Sequence, residues 1–213
     1  MIDLFIFSWA AAGAVVGALM GVLSRKLLAT SCPDLLAVRL TAPLLTAVLF
    51  GALAWRLGWN LDLLPYSYLA AIGVCLAFID VIERRLPGVL LLPSFVVLGA
   101  LFAVSAIVHS NGSSFARALA GLAASAAFYV VLGLAAGGGL GAGDVKLGGL
   151  LGLALGWASW WAVVAGAFLG WCLGALMWGG LRLSGRLPQG FLLPMGPFLL
   201  LGALVAVGAN PPT

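Results

Sequence analysis

The chain has 213 residues, of which 64% are hydrophobic and 8% charged, and its mean hydropathy is +1.22. A soluble globule carries about a quarter charged residues, so this composition excludes a water-facing globule and predicts an all-α, polytopic membrane bundle, a single domain over 1–213 with the lipid bilayer as its main solvent. The net charge of +4 is spread in basic runs no longer than two residues, which argues against a nucleic-acid partner.

A helix needs about 20 apolar residues to cross the hydrocarbon core. Apolar runs predict spans over residues 4–23, 37–57, 66–79, 89–108, 117–136, 145–157, 160–181 and 191–209. The first lacks a basic leading region and carries Asp3, so it does not read as a removable leader. The third and sixth runs are short. A single helix over residues 145–181 would be about 55 Å long against a core of about 30 Å. A hairpin is therefore expected near Trp157, Trp160 and Trp161, with these side chains at the interface. The count is eight spans, with seven the alternative.

Charge bias orients these spans. With the amino terminus outside, the inner connections hold Arg25, Lys26, Arg84, Arg85, Lys146, Arg182 and Arg186, and the outer ones hold Arg56 and Arg117. Arg39 then snorkels inward from the second span. Residues 25–36, 81–87, 137–146 and 182–190 are thus expected on the cytoplasmic side and both termini outside. Cys32, Cys75 and Cys172 form no C-x-x-C pair, which indicates neither a zinc site nor a disulfide framework; Cys75 and Cys172 read as small packing residues.

Of the six acidic residues, Asp3, Asp34 and Asp62 fall at span ends or in loops and read as solvated interfacial charges. Asp80 closes the apolar run of the third span, and Asp144 opens the sixth after a glycine-rich stretch. Both fall at the cytoplasmic membrane edge, where a desolvated carboxylate is costly without a partner or a purpose. Gly137, Gly138, Gly139, Gly141 and Gly143 remove side chains just before Asp144, permitting positive φ and close approach of another backbone. Such a stretch suits a substrate-access loop at Gly141 and Gly143 for an extended peptide. It equally suits a flexible connection with Asp144 as helix N-cap, and spacing alone leaves both open. Two facing carboxylates share a proton, so one can take a proton from water while the other donates to a carbonyl oxygen.

At these acids the chain resembles the prepilin peptidases, or type IV leader peptidases, membrane aspartyl proteases with a Gly-x-Gly-Asp motif. The block Phe78-Ile79-Asp80-Val81-Ile82-Glu83-Arg84-Arg85-Leu86-Pro87 is similar to the family's acid, basic pair and Leu-Pro at a helix end. Gly141-Ala142-Gly143-Asp144-Val145-Lys146-Leu147 matches its Gly-x-Gly-Asp-Val-Lys-Leu stretch throughout. A looser match is Leu193-Pro194-Met195-Gly196-Pro197-Phe198-Leu199, and a fainter one is Gly17-x-x-x-Gly21 followed by Arg25. The resemblance implies that Asp80 and Asp144 are the catalytic dyad, with no metal or other cofactor needed for proteolysis. It implies a bacterial cytoplasmic (inner) membrane protein whose active site faces the cytoplasm. The substrates would be prepilin or pseudopilin-like precursors, with a short basic leader ending in Gly ahead of a hydrophobic helix.

Two departures stand out. Many relatives carry two C-x-x-C pairs in an insertion after the first span and also methylate the new amino terminus; here that connection holds only Cys32, so a peptidase without methyltransferase activity is expected. Gly88 stands where relatives often have Asn or Asp. Arg84 and Arg85 read as topology determinants, with Glu83 a further partner for Arg85. Lys146 reads as an interfacial charge pointing away from Asp144, and His109 as solvated on the outer side. The rival class is a proton-coupled transporter or channel, whose acids tend to lie near the bilayer midplane in repeated halves; a structural subunit without chemistry is a third reading. Presenilin-like and signal-peptide-peptidase-like proteases share Gly-x-Gly-Asp but pair it with Tyr-Asp, whereas Ile79 precedes Asp80 here.

Overall fold

In a computed structural model of the chain, residues 2–28, 35–135, 141–185 and 193–209 are described. Among them are eight helices and no strand: α1 (Ile2–Leu27), α2 (Leu35–Leu57), α3 (Leu63–Glu83), α4 (Gly88–Val108), α5 (Gly112–Ala135), α6 (Ala142–Ala158), α7 (Trp160–Leu183) and α8 (Gly196–Ala209). This is the helical bundle expected from composition. Six of the helices, α1 to α5 and α7, are long and apolar enough to cross a membrane. The other two are shorter, at 17 residues for α6 and 14 for α8.

Several boundaries move, and the moves matter for the acids. The third helix runs over Leu63–Glu83 rather than 66–79, so Asp80 lies inside its last turn instead of after its end. The helix stops at Arg84, which adopts the left-handed conformation (φ 52°) and donates its backbone N–H to the Asp80 carbonyl at 2.8 Å. The expected hairpin between α6 and α7 is present, and Ser159 alone separates the two helices. Its backbone is extended and its hydroxyl oxygen accepts from the Ala162 N–H at 2.9 Å, capping α7. The fifth helix starts at Gly112, before the expected 117. The expected start of the last span at Phe191 and its end of the fifth span at Ala136 lie outside the described residues.

Two helices form the centre. In α3, 72% of the apolar window is buried, against 17–28% in the other five long helices. In α6, residues 147 through 157 are all buried. The remaining helices turn large apolar side chains such as Phe7, Leu44, Val96 and Phe168 outward, where lipid replaces water as the apolar solvent.

Small residues close the helix pairs. A Cβ on Gly152 would stand 2.4 Å from the Gly121 carbonyl oxygen, one on Gly17 2.7 Å from that of Ala42, and one on Gly202 2.5 Å from the Gly170 nitrogen. The pairs α5/α6, α1/α2 and α7/α8 therefore meet backbone to backbone, as membrane helices do where lipid offers no hydrophobic drive for association. Gly152→Val is expected to lose about 1–3 kcal/mol through overpacking of α5 against α6. Gly99→Ala, where an added Cβ meets nothing within 4 Å, should leave stability intact. Thermal unfolding in detergent measures both, and equal melting temperatures would refute the backbone contact.

Candidate active site

Asp80 is 5% exposed, although it sits near the end of a helix. Its neighbour is the start of α8: the Gly196 N–H donates to Asp80 Oδ2 at 2.9 Å. The first N–H groups of a helix have no partner within it and carry the positive end of its dipole, so they suit a carboxylate. A Cβ on Gly196 would lie 2.7 Å from the same oxygen, so only glycine lets α8 come this close.

Asp144 stands in the first turn of α6, ahead of the apolar span that begins at Val145. Gly141, with ordinary extended backbone (φ −68°, ψ 144°), is the N-cap, so Asp144 does not cap the helix. Burial first, and then the negative charge of Asp80, push the Asp144 carboxyl up to about 6, against the opposing effect of a backbone hydrogen bond from Gly141. The two acids picked out of the sequence thus lie within electrostatic reach at one end of the bundle.

The glycines of the motif work by space rather than by backbone freedom. Among the described residues the glycines with positive φ are Gly58 and Gly185, and neither Gly141 nor Gly143 is one of them. A Cβ on Gly143 would stand 2.8 Å from Leu86 Cβ, so its absence lets α6 start against the connection from α3 to α4. A Cβ on Gly141 would lie 3.3 Å from Asp144 Oδ2, so its absence leaves room beside the carboxylate. Gly137, Gly138 and Gly139 lie outside the described residues, as do Cys32, Asp34 and Arg186.

Basic side chains ring this end. Arg85 pairs with Glu83 and donates to the Leu27 carbonyl at 3.1 Å, tying α3 to α1. Lys146 is exposed, with Nζ 3.8 Å from where a Cβ on Gly88 would be.

The opposite end corrects the reading of Asp62 as a solvated charge, for it is 6% exposed. The Ser105 hydroxyl donates to its Oδ1, and the Trp157 indole N–H donates to its Oδ2 at 3.0 Å. Nearby, Arg117 donates to the carbonyls of Gly156, Trp157 and Ala158 at 2.8, 2.7 and 3.2 Å, closing the C-terminal end of α6. Tyr66 donates its hydroxyl to the Ala154 carbonyl at 3.0 Å. Along α3 the two ends lie about 27 Å apart, so Asp62 belongs to neither the acid pair nor its surroundings. His109 is exposed, as expected, with Nδ1 3.1 Å from the Ser105 carbonyl.

Sequence reasoning missed Gly196 as a partner of Asp80, and Asp62 as a buried anchor. The Pro-flanked glycine in Met195-Gly196-Pro197 was the available signal for the first. Asp62 had none, because its hydrogen-bond donors come from α4 and α6.

The family model for the type IV leader peptidase family matches residues 67–180. Over 165 residues the chain is 30% identical to the prepilin leader peptidase/N-methyltransferase of Bacillus subtilis (strain 168), covering 78% of this chain and 63% of that protein. It is 33% identical over 165 residues to the protein so named in Aeromonas hydrophila, covering 77% and 56% of the two chains. It is 35% identical over 128 residues to that of Neisseria gonorrhoeae, covering 59% and 44%. The chain therefore spans 44–63% of the length of these relatives. No solved structure matches the chain.

Two outcomes follow from the two ends. In Asp80→Asn the Asp144 carboxyl is expected to titrate below about 6, because the charge that raises it is gone. Infrared titration of the carboxyl band, assigned with Asp144→Asn, reads this, and an unmoved band means that the acids do not communicate. Asp62→Ala is expected to cost about 1–3 kcal/mol in thermal unfolding by stranding buried donors, whereas exposed Asp3→Asn should cost nothing measurable.

Proposed function

The chain belongs to the type IV leader peptidase family, and from that membership we propose that it is a membrane aspartyl endopeptidase removing the leader from prepilin or pseudopilin-like precursors. The observation that carries the proposal is the pair itself: Asp80 and Asp144, from the two most buried helices, meet electrostatically at one end of the bundle. The rest of the chain serves this pair as one transmembrane peptidase domain over residues 1–213.

The roles divide by charge. The Gly196 N–H that Asp80 accepts favours its charged form, so Asp80 is assigned as the ionised member and Asp144 as the holder of the shared proton. Asp80 takes a proton from water as the water oxygen bonds to the scissile carbonyl carbon. Asp144 gives its proton to the carbonyl oxygen, forming a neutral tetrahedral species. The C–N bond then breaks: Asp80 passes its proton to the leaving amine, and Asp144 recovers one from the hydroxyl as the carbonyl reforms. Gly196 N–H steadies Asp80 through the cycle, and the space left by Gly141 admits the extended peptide beside Asp144.

The active end faces the cytoplasm of a bacterial inner membrane in this reading. Support comes from the basic residues at the same ends of the helices, Arg25 and Lys26 on α1, Arg85 beyond α3, Lys146 on α6 and Arg182 on α7. The connection between α1 and α2 carries Cys32 as its one cysteine, too few for a four-cysteine metal site, which supports a peptidase without methyltransferase activity.

Co-expression with a pilin-like precursor tests the assignment. Asp80→Asn and Asp144→Asn should each remove leader cleavage by at least about a thousandfold while the protein stays in the membrane; normal processing by either variant would falsify the dyad. In the unsubstituted enzyme, kcat/KM is expected to fall as pH rises through about 6, where Asp144 loses its proton. A profile rising through that pH would reverse the assigned roles.

A further inference from the structure

Between α5 and α7 a cavity of about 510 Å³ opens toward lipid, and no other helix of the described chain fills it. Its deeper residues are Ser125, Tyr129, Val163 and Ala167, and its exposed edges include Phe128 and Phe168. Along α7 it runs from Trp160 to Trp171, about 16 Å. Small side chains below and aromatic side chains at the edges make a trough into which an apolar helix fits closely, as small residues permit between membrane helices.

Two observations separate this trough from ordinary lipid-facing surface. First, Trp171 Nε1 at its inner end is buried and makes no well-formed hydrogen bond among the described residues, its ring stacked 6.4 Å from that of Tyr129. An unpaired N–H away from water is costly, and a hydrocarbon chain cannot satisfy it, whereas a peptide carbonyl can. Second, the trough is continuous with the acid pair. Tyr129 packs on Gly148, where an added Cβ would stand 2.2 Å from its ring, and its hydroxyl feels the charge of Asp144. Gly148 and Asp144 are four residues apart and so share a face of α6.

We propose that the α5/α7 trough holds the apolar membrane helix of the substrate, with Trp171 N–H donating to a backbone carbonyl where that helix gives way to the extended segment at Asp144. The orientation follows from helix ends: residues just before a helix have free carbonyls, while carbonyls within its first turns are bonded inside it. The proposal rests on the peptidase reading and adds the surface that selects its substrates by their membrane segment.

The test places a photo-crosslinking amino acid at Phe168, or at exposed Val104 on α4 as the control, in full-length Asp144→Asn protein co-expressed with a pilin-like precursor. An adduct with the precursor at 168 and none at 104 is expected. Adducts at both positions, none at 168, or lipid adducts alone at 168 overturn the trough when the unsubstituted chain cleaves the same precursor. Absence of cleavage by the unsubstituted chain overturns the peptidase reading and this proposal with it. As a second arm, Ala167→Trp should raise KM for the precursor by at least about tenfold, a loss of about 1.4 kcal/mol in binding, with kcat little changed. An unchanged KM in a variant of unchanged melting temperature overturns the proposal as well.

Discussion

Hydrocarbon offers no hydrogen bonds, and the architecture follows from that. Every polar group in the bundle must find a protein partner or reach an interface. Both central helices, α3 and α6, carry their carboxylates at or near their ends, where another helix terminus or a connection supplies donors. The surrounding helices need only present apolar side chains outward and small ones inward. Glycine contacts do the second task in α1/α2, α5/α6 and α7/α8, which lets the sheath close tightly around two buried helices.

The two ends of α3 show how the same side chain serves opposite purposes. At Asp62 both carboxylate oxygens are occupied, by Ser105 and Trp157, and the group behaves as a fixed joint between α3, α4 and α6. At Asp80 one oxygen takes the Gly196 N–H, and the charge of the group acts on another acid, Asp144. A saturated carboxylate holds structure together. A pair of carboxylates that act on each other is chemically available, because each proton position changes the energy of the other.

Much of this was legible in the sequence because membrane helices announce themselves by length and hydropathy. The span boundaries of α1, α2, α4 and α7 and the hairpin around Ser159 follow from apolar runs and interfacial tryptophans. Asp80 and Asp144 stood out because so few acids occur in so apolar a chain. What escaped was pairing across distance. Gly196 reaches Asp80 over 116 positions of chain and Trp157 reaches Asp62 over 95, and no local pattern encodes either contact. Nor does a Gly-x-Gly spacing tell which of the two expected uses the glycines serve, positive φ, which Gly141 and Gly143 do not adopt, or close approach, which Gly143 makes to Leu86.

Helix α6 is also held very unequally along its length. Arg117, Trp157 and Tyr66 hold its C-terminal half through several hydrogen bonds, while its N-terminal end is lodged by the packing of Gly143 against Leu86. Asp144 stands about 20 Å along α6 from Trp157, and the glycines that join α6 to α5, Gly152 and Gly156 against Gly121, lie between the two. The place of the acid is therefore set by how deeply α6 beds against α5: a side chain added at any of these contacts would shift the whole rod and Asp144 with it.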